Sequence, residues 1–352
     1  MSSPKLNPPT SHGRTRTDEP SIIPMRLTEY FDLSHRNSFG FSSRARYGAE
    51  VTRAEDIRDL ARLSKRLNLP LHLLGSASNC LLPDRLHAVV GVMAIKGWSV
   101  DDSPGDHVRV TAQAGEDWSD LVARLTARDI GGLENLAGIP GTVGAAPVQN
   151  IGAYGMELSD VFESLQAYDR RADSMITLGK ADCRFGYRHS LFKDAPGRYL
   201  ITQVTLRLPR PWHPVLSYVG LRDLPAPQTP ETILEAVLAQ RAAKLPDWRV
   251  LGNVGSFFHN PIVTQETLRS LPEMPAHPTP DGVKLSAAWL IDHCGLKGLR
   301  IGDAGIHTGH ALIIVNHGRA TLPEVQALAD QVIRRVRAKF GVTLVPEPVT
   351  LG

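Results

Sequence analysis

Hydrophobic and polar positions along the chain separate into four amphipathic segments and a series of shorter apolar or alternating ones. Thr52-Arg-Ala-Glu55 reads as a capping box opening a helix through Leu60, Leu63 and Leu67, stopped by Pro70. Leu71-His-Leu-Leu74 follows as a short buried strand running into Gly75-Ser-Ala-Ser-Asn79. His107 to Ala114 alternates with period two, the mark of a half-buried strand. Asp117 to Arg128 then places Trp118, Leu121, Val122 and Leu125 on one helical face. Further strands are expected near 163–178 and 199–208, and Pro209, Pro211 and Pro214 mark a hinge. Thr229-Pro230 starts a helix through Ile233, Val237 and Ala242 that Pro246 ends. Thr321-Leu-Pro-Glu324 is another capping box, and its helix runs through Val325, Leu328, Val332, Val336 and Phe340 to Gly341. Strands and helices mixed in several groups predict the α+β class with more than one domain.

Composition narrows the function classes. The 352 residues are 42% hydrophobic and 21% charged, the balance of a folded globular protein with room for several cores. Lys+Arg 39 against Asp+Glu 36 leaves a net charge of +3, which is no footprint for nucleic acid. The basic cluster Arg334, Arg335, Arg337 and Lys339 sits at the end of the last helix, where it suits the helix dipole. No stretch approaches the roughly eighteen apolar residues of a membrane span. Cys80, Cys183 and Cys294 lie far apart with no CxxC pair, which points to a reducing cytoplasm rather than a disulfide framework. Residues 1–24 read as a disordered tail, without the apolar stretch of a secretory signal.

Candidate chemistry is concentrated in a few segments. Gly138 to Gly155 holds glycines at 138, 141, 144, 152 and 155 with two prolines, so it cannot form a regular helix. Such a segment brings backbone N–H groups close to a pyrophosphate or a flat ring, although a plain structural loop is the alternative. It is neither GxGxxG after a strand nor GxxxxGK[ST]. The Gly75–Asn79 turn offers similar donors. Arg184, Tyr187 and Arg188 surround Gly186, and the fork of an arginine suits a carboxylate or phosphate, although plain surface arginines are the favoured reading of these residues by themselves. Ser256 stands between Gly255 and two phenylalanines, as a nucleophile, a proton donor or a loop serine. His307, His310 and His317 have loose metal-like spacing but no HExxH or Cys/His pattern, so they read as structural and no metal site is expected.

Taken together, these segments resemble the UDP-N-acetylenolpyruvoylglucosamine reductase (MurB) family, flavoenzymes of peptidoglycan precursor synthesis. The matching stretches are NSFG (37–40), LGSASNCLLPD (74–84), AGEDWSDLV (114–122), GLENLAGIPGTVGAAPVQNIGAYG (132–155), CRFGYRHSLFK (183–193), KLPDWRVLGNVGSFFHNP (244–261), KLSAAWLIDHCGLKG (284–298) and VPEP (345–348). The resemblance implies a two-part FAD-binding fold of the vanillyl-alcohol-oxidase type plus a separate α+β substrate-binding domain. The expected division is a tail over 1–24, FAD-binding parts over 25–97 and 98–228, and a UDP-sugar domain over 229–345. A substrate lid loop is expected near 209–222, and a terminal segment over 346–352.

The resemblance also implies FAD as cofactor, NADPH as hydride source and UDP-N-acetylglucosamine-enolpyruvate as substrate, in a cytoplasmic monomer. Candidate FAD contacts are Gly75, Ser76, Ser78, Asn79, Gly138, Pro140, Gly141, Gly144, Asn150, Ile151 and Gly152. The family's first loop usually reads GxGSN, whereas Ala77 stands here in place of a glycine. Its catalytic trio corresponds to Arg188, Ser256 and Glu347, and its sugar-nucleotide contacts to Tyr187, Lys244 and Asn260. Tyr218 matches the lid tyrosine of a longer subgroup. Other flavin oxidases, a Ser256-dependent hydrolase and a binding protein without turnover are the alternatives. They differ in colour and in response to NADPH.

Overall fold

The computed structural model describes residues 25–352; the tail expected over 1–24 lies outside the described residues. The first sheet orders its strands Thr28–Asp32, Arg44–Val51, Arg85–Met93 and Leu71–Leu74, the last three mutually parallel. The helix Ala54–Leu67 covers one face, packing Ile57 and Leu60 with Ala49, Val51 and Val89. Its start differs from the Thr52–Glu55 box. The N-cap position is Arg53, and Asp56, fully buried, accepts the N–H groups of Thr52 and Arg53 at 3.0 and 2.9 Å. The inward-facing carboxylate, not the exposed Glu55, reaches the free backbone donors of the first turn.

The second sheet is antiparallel throughout, in the order Ser174–Gly179, Phe162–Asp169, Tyr199–Pro209, His107–Gln113, Trp98–Asp101. The helix Trp118–Thr126, capped by Asp117, lays Trp118, Leu121, Val122 and Leu125 on it. The helix Pro230–Lys244 lies beyond the expected boundary at 229, yet its buried Ile233 and Val237 join this second core. An amphipathic pattern states which face is buried, not which sheet covers it.

The remaining chain forms a four-stranded sheet (Asn253–Ser256, Ile313–Asn316, Ala304–Ile306, Arg300–Ile301) and a three-stranded one (Ile262–Val263, Gly282–Leu285, Ala276–Thr279). The helix Leu322–Phe340 ends at Gly341, in the left-handed conformation as its C-cap. Val254, Phe257, Phe258, Val325 and Leu328 share one core with Leu33, Phe39, Leu86 and Val90, so the first sheet is covered on both faces. The last residues return to the turn beyond that sheet, where Val349–Thr350 pairs parallel with Cys80–Leu81 in a separate two-stranded sheet. Among the described residues no helix is long and apolar enough to cross a membrane.

Candidate active site

A cleft with a volume of about 150 Å³, open to solvent, lies between the turn after the first sheet and the Gly-rich segment. One wall is the turn after Leu71–Leu74, with Gly75, Ser76, Ala77, Ser78, Asn79 and Cys80. The other is the Gly-rich segment, with Ile139, Pro140, Gly141, Thr142, Ala145 and Ala146, continuing through Gln149 to Ile151. The walls touch where Gly75 meets Thr142: a Cβ at Gly75 would lie 2.3 Å from Thr142 Oγ1. Ser78 ties them a second time by donating to the Pro140 carbonyl at 2.7 Å, and the Asn79 amide donates to Gln149 Oε1. Small residues and exposed backbone on both walls make a narrow cradle of the kind a dinucleotide occupies.

Ala77 adopts φ +44°, the left-handed conformation for which a glycine would be the easy choice, with its methyl buried. The turn therefore keeps the glycine-type path despite the substitution. Among the expected contacts, Gly75, Ser76, Ser78, Asn79, Pro140, Gly141 and Ile151 line the cleft. Gly138, Asn150 and Gly152 stand behind this wall. Gly138 packs on Leu238 and Arg241. Buried Asn150 holds the segment together, donating to Glu157 Oε2 at 2.7 Å and the Gly186 carbonyl at 3.2 Å while accepting from Ser159 N–H. Gly144 lies in the extension of the cleft that reaches Glu347 and Val349.

Glu347 lines this extension, and Arg188, from a distant part of the chain, meets it there, while Ser256 ends the strand beside which the terminal segment runs. Arg188 has φ +52°, and its guanidinium donates to the carbonyls of Gly152 and, at 3.4 Å, Asn150. The Gly-rich segment thus fixes this arginine directly. Arg188 Nε lies 3.8 Å from Glu347 Oε1, and Arg188 Nη1 lies 3.9 Å from Glu157 Oε1. The terminal segment is threaded beside the strand carrying Ser256: Glu347 N–H donates to the Phe257 carbonyl and His259 N–H to that of Val345, both at 2.9 Å. Between Asn253 and Ser256 that strand slips register against Ile313–Asn316. Gly255 takes up the bulge at φ +73°, its N–H received by Asn253 Oδ1. A bulge of this kind re-aims the following side chain, which explains the glycine before Ser256.

Burial pushes the Glu347 carboxyl above its ordinary value, and Arg188 and Lys193 pull it partly back. Burial lowers the Lys193 ammonium, which donates to the Arg188 carbonyl at 2.9 Å. His259 faces the same carboxyl, with Nδ1 3.6 Å from Glu347 Oε2, and is pulled down to about 4 by burial and then by Lys193 and Arg188. Burial raises the phenol of Tyr187, whose ring carries Lys284 Nζ at 5.1 Å and Arg188 at 5.3 Å. Asn260 Oδ1 accepts the Ala287 N–H at 3.0 Å. Tyr218 stands against Tyr154, ring centres 4.9 Å apart, with Lys244 Nζ 5.4 Å from its ring. Its loop is anchored by Asn135, which donates to the carbonyls of Tyr154 and Val215. Lys193 and His259 escaped the sequence reading. Both lie inside the matching stretches, but what sets their chemistry includes Glu347, 154 and 88 positions further on. No group of three or more metal-ligating side chains occurs among the described residues.

The chain matches the family model of the UDP-N-acetylenolpyruvoylglucosamine reductase C-terminal domain over residues 246–351, and that of an FAD-binding domain over 46–178. A UDP-N-acetylenolpyruvoylglucosamine reductase of Cupriavidus pinatubonensis is 46% identical over 332 residues, spanning 92% of this chain and 98% of its own. One of Pseudomonas aeruginosa is 46% identical over 334 residues, with the same two shares. The crystal structure of the enzyme so named (MurB) from Thermus caldophilus aligns with a TM-score of 0.64 at 24% identity, over 94% of this chain and 100% of that one. The fold is thus an FAD-binding fold in two parts with a separate α+β C-terminal domain.

Proposed function

Because the chain belongs to the UDP-N-acetylenolpyruvoylglucosamine reductase family, we propose that it reduces the enolpyruvyl group of UDP-N-acetylglucosamine-enolpyruvate to give UDP-N-acetylmuramate. The cradle between residues 75–79 and 139–151 fits FAD: its walls are small residues and backbone, and side chains would fill it at Gly75. The chemistry that FAD brings when bound is hydride transfer, from NADPH to the β-carbon of the enolpyruvyl group. The chain's own residues deal with the charge and the proton. Arg188, held by two backbone carbonyls, meets the negative charge that develops on the substrate's α-carbon and carboxylate. Preorganised charge of this kind gives the largest share of many rate enhancements. Ser256 gives its proton to the α-carbon, a task within reach of a weak acid when the acceptor is as basic as an enolate. Glu347, its carboxyl raised by burial, in its protonated form donates a hydrogen bond to the carboxylate.

Tyr187, Lys244 and Asn260 hold the sugar nucleotide, with the Lys244 ammonium suited to its diphosphate. Tyr218 covers it as a lid. The domain division of the family applies in this reading, with the helix Pro230–Lys244 packed on the second FAD-binding part, and the enzyme works as a cytoplasmic monomer. The observation that carries the reading is the convergence of Arg188 and Glu347, 3.8 Å apart, beside the strand of Ser256 at the end of the cradle. The test is anaerobic NADPH oxidation by the purified protein with and without the enolpyruvyl sugar nucleotide. Stoichiometric consumption only with that substrate is expected. A yellow protein bleached by NADPH but indifferent to the substrate would remove the substrate assignment, and a colourless, inactive protein after addition of FAD would remove the whole reading.

A further inference from the structure

His259 makes an unusual pair with Glu347. Its Nδ1 is buried and has no hydrogen-bond partner among the described residues, and it faces Glu347 Oε2 at 3.6 Å. That separation is longer than a hydrogen bond and too short for a bridging water. A small rotation of either side chain closes it. A buried imidazole nitrogen without a partner is destabilising, so the ring is held there by something that recovers the loss. The surrounding groups decide which form the pair takes. Arg188 and Lys193 both stand close enough to disfavour a cationic imidazole, and the Tyr187 ring packs edge-on at 6.3 Å. Lys284 and Glu157 lie farther out, around Tyr187 and Arg188.

We propose that His259 is a positioning residue that keeps Glu347 protonated in the substrate-free enzyme: its neutral Nδ1 accepts the proton of Glu347 Oε2, while Glu347 Oε1 faces Arg188. A single proton then lies between Nδ1 and Oε2, and the imidazole keeps its own on Nε2. The carboxylate of the arriving substrate, a charged acceptor and therefore stronger than a neutral imidazole, takes over that hydrogen bond. His259 thus works with burial against Arg188 and Lys193, which pull the Glu347 carboxyl partly back down. This rests on the role assigned to Glu347 above, and the tests separate the two.

The first measurement is the imidazole 15N spectrum of the FAD-loaded protein at pH 7, with His259→Gln for assignment. It needs no turnover. The expected signature is an unprotonated Nδ1 and a protonated Nε2 at His259; a protonated Nδ1 or a cationic ring at pH 7 overturns the proposal whether or not the reductase reading holds. The second is the pH profile of kcat/KM for the enolpyruvyl sugar nucleotide. His259→Leu removes the acceptor, so the alkaline limb moves to lower pH by about one unit, the equivalent of one neutral hydrogen bond. His259→Gln restores an acceptor oxygen and keeps the limb near its original place. Identical limbs in the parent and His259→Leu, or equal shifts in both variants, overturn it. If the leucine variant does not fold, the imidazole spectrum decides alone.

Discussion

Replacing Gly144 with alanine tests whether the Gly-rich segment is seated as the geometry requires. Its amide donates to the Ala114 carbonyl at 2.9 Å, so this part of the cradle wall lies directly on the end of the strand His107–Gln113. An added Cβ would stand 2.4 Å from Ala114 Cβ, 3.0 Å from its Cα and 3.2 Å from its carbonyl oxygen. Carbon atoms rest about 3.5–4.0 Å apart, so the segment must withdraw by about 1 Å, and backbone cannot swing aside as a long side chain would. Overpacking of this kind costs about 1–3 kcal/mol. The cost divides according to how the apoprotein relaxes. If the segment stays seated, it appears as lost stability; if it lifts away, the cradle is misplaced and FAD affinity falls, roughly tenfold for each 1.4 kcal/mol. The assay is chemical denaturation of apoprotein and holoprotein beside an FAD titration. The two losses together should account for the 1–3 kcal/mol. An alanine variant with parental stability and parental FAD affinity would refute the seating and the cradle built on it.

Four further outcomes follow from the same geometry. Gly152→Ala should lower kcat with FAD still bound, because its Cβ would come within 2.7 Å of Arg188 Nη1 and lever the guanidinium off its carbonyls; steady-state kinetics and flavin absorbance check this. Ser256→Ala should keep bleaching by NADPH yet lose product formation by about 10²–10⁴-fold, read in single-turnover experiments with the enolpyruvyl substrate. Glu347 is raised by burial, so its contribution to stability is complete below its ordinary pKa and is lost as pH rises through the raised value. Glu347→Gln should therefore be the more stable protein at pH 8 and lose that advantage near pH 4, as thermal unfolding across that range would reveal. Ala77→Gly should change stability by less than about 1 kcal/mol, since relief of a left-handed alanine is offset by the entropy of glycine and a lost buried methyl. Ala77→Val should be clearly destabilising at φ +44°, and equal melting of the two variants would contradict the assigned backbone.

Much of this molecule is legible in the order of its residues, because caps, periodicity and turn chemistry are local. Thr229-Pro230, Thr321 with Glu324, Asp117 and Gly341 mark helix ends that the structure reproduces. The strand Leu71–Leu74 and the alternation from His107 likewise fall where expected. The motif stretches identify the family, as the relatives bear out. Tertiary structure alone decided what each face packs against and what each charge meets. Ile233 and Val237 fill the second core, the terminal segment threads between Asn79 and Phe257, and Glu347, by sequence an ordinary charge between two prolines, ends up buried beside Arg188. His259 is the clearest case. Its neighbours in sequence are Phe258 and Asn260, but its chemistry is set by Glu347, 88 positions further on. Short-range geometry is written in the backbone preferences of adjacent residues, whereas desolvation and ion pairing depend on the closed core that brings distant segments within a few ångströms.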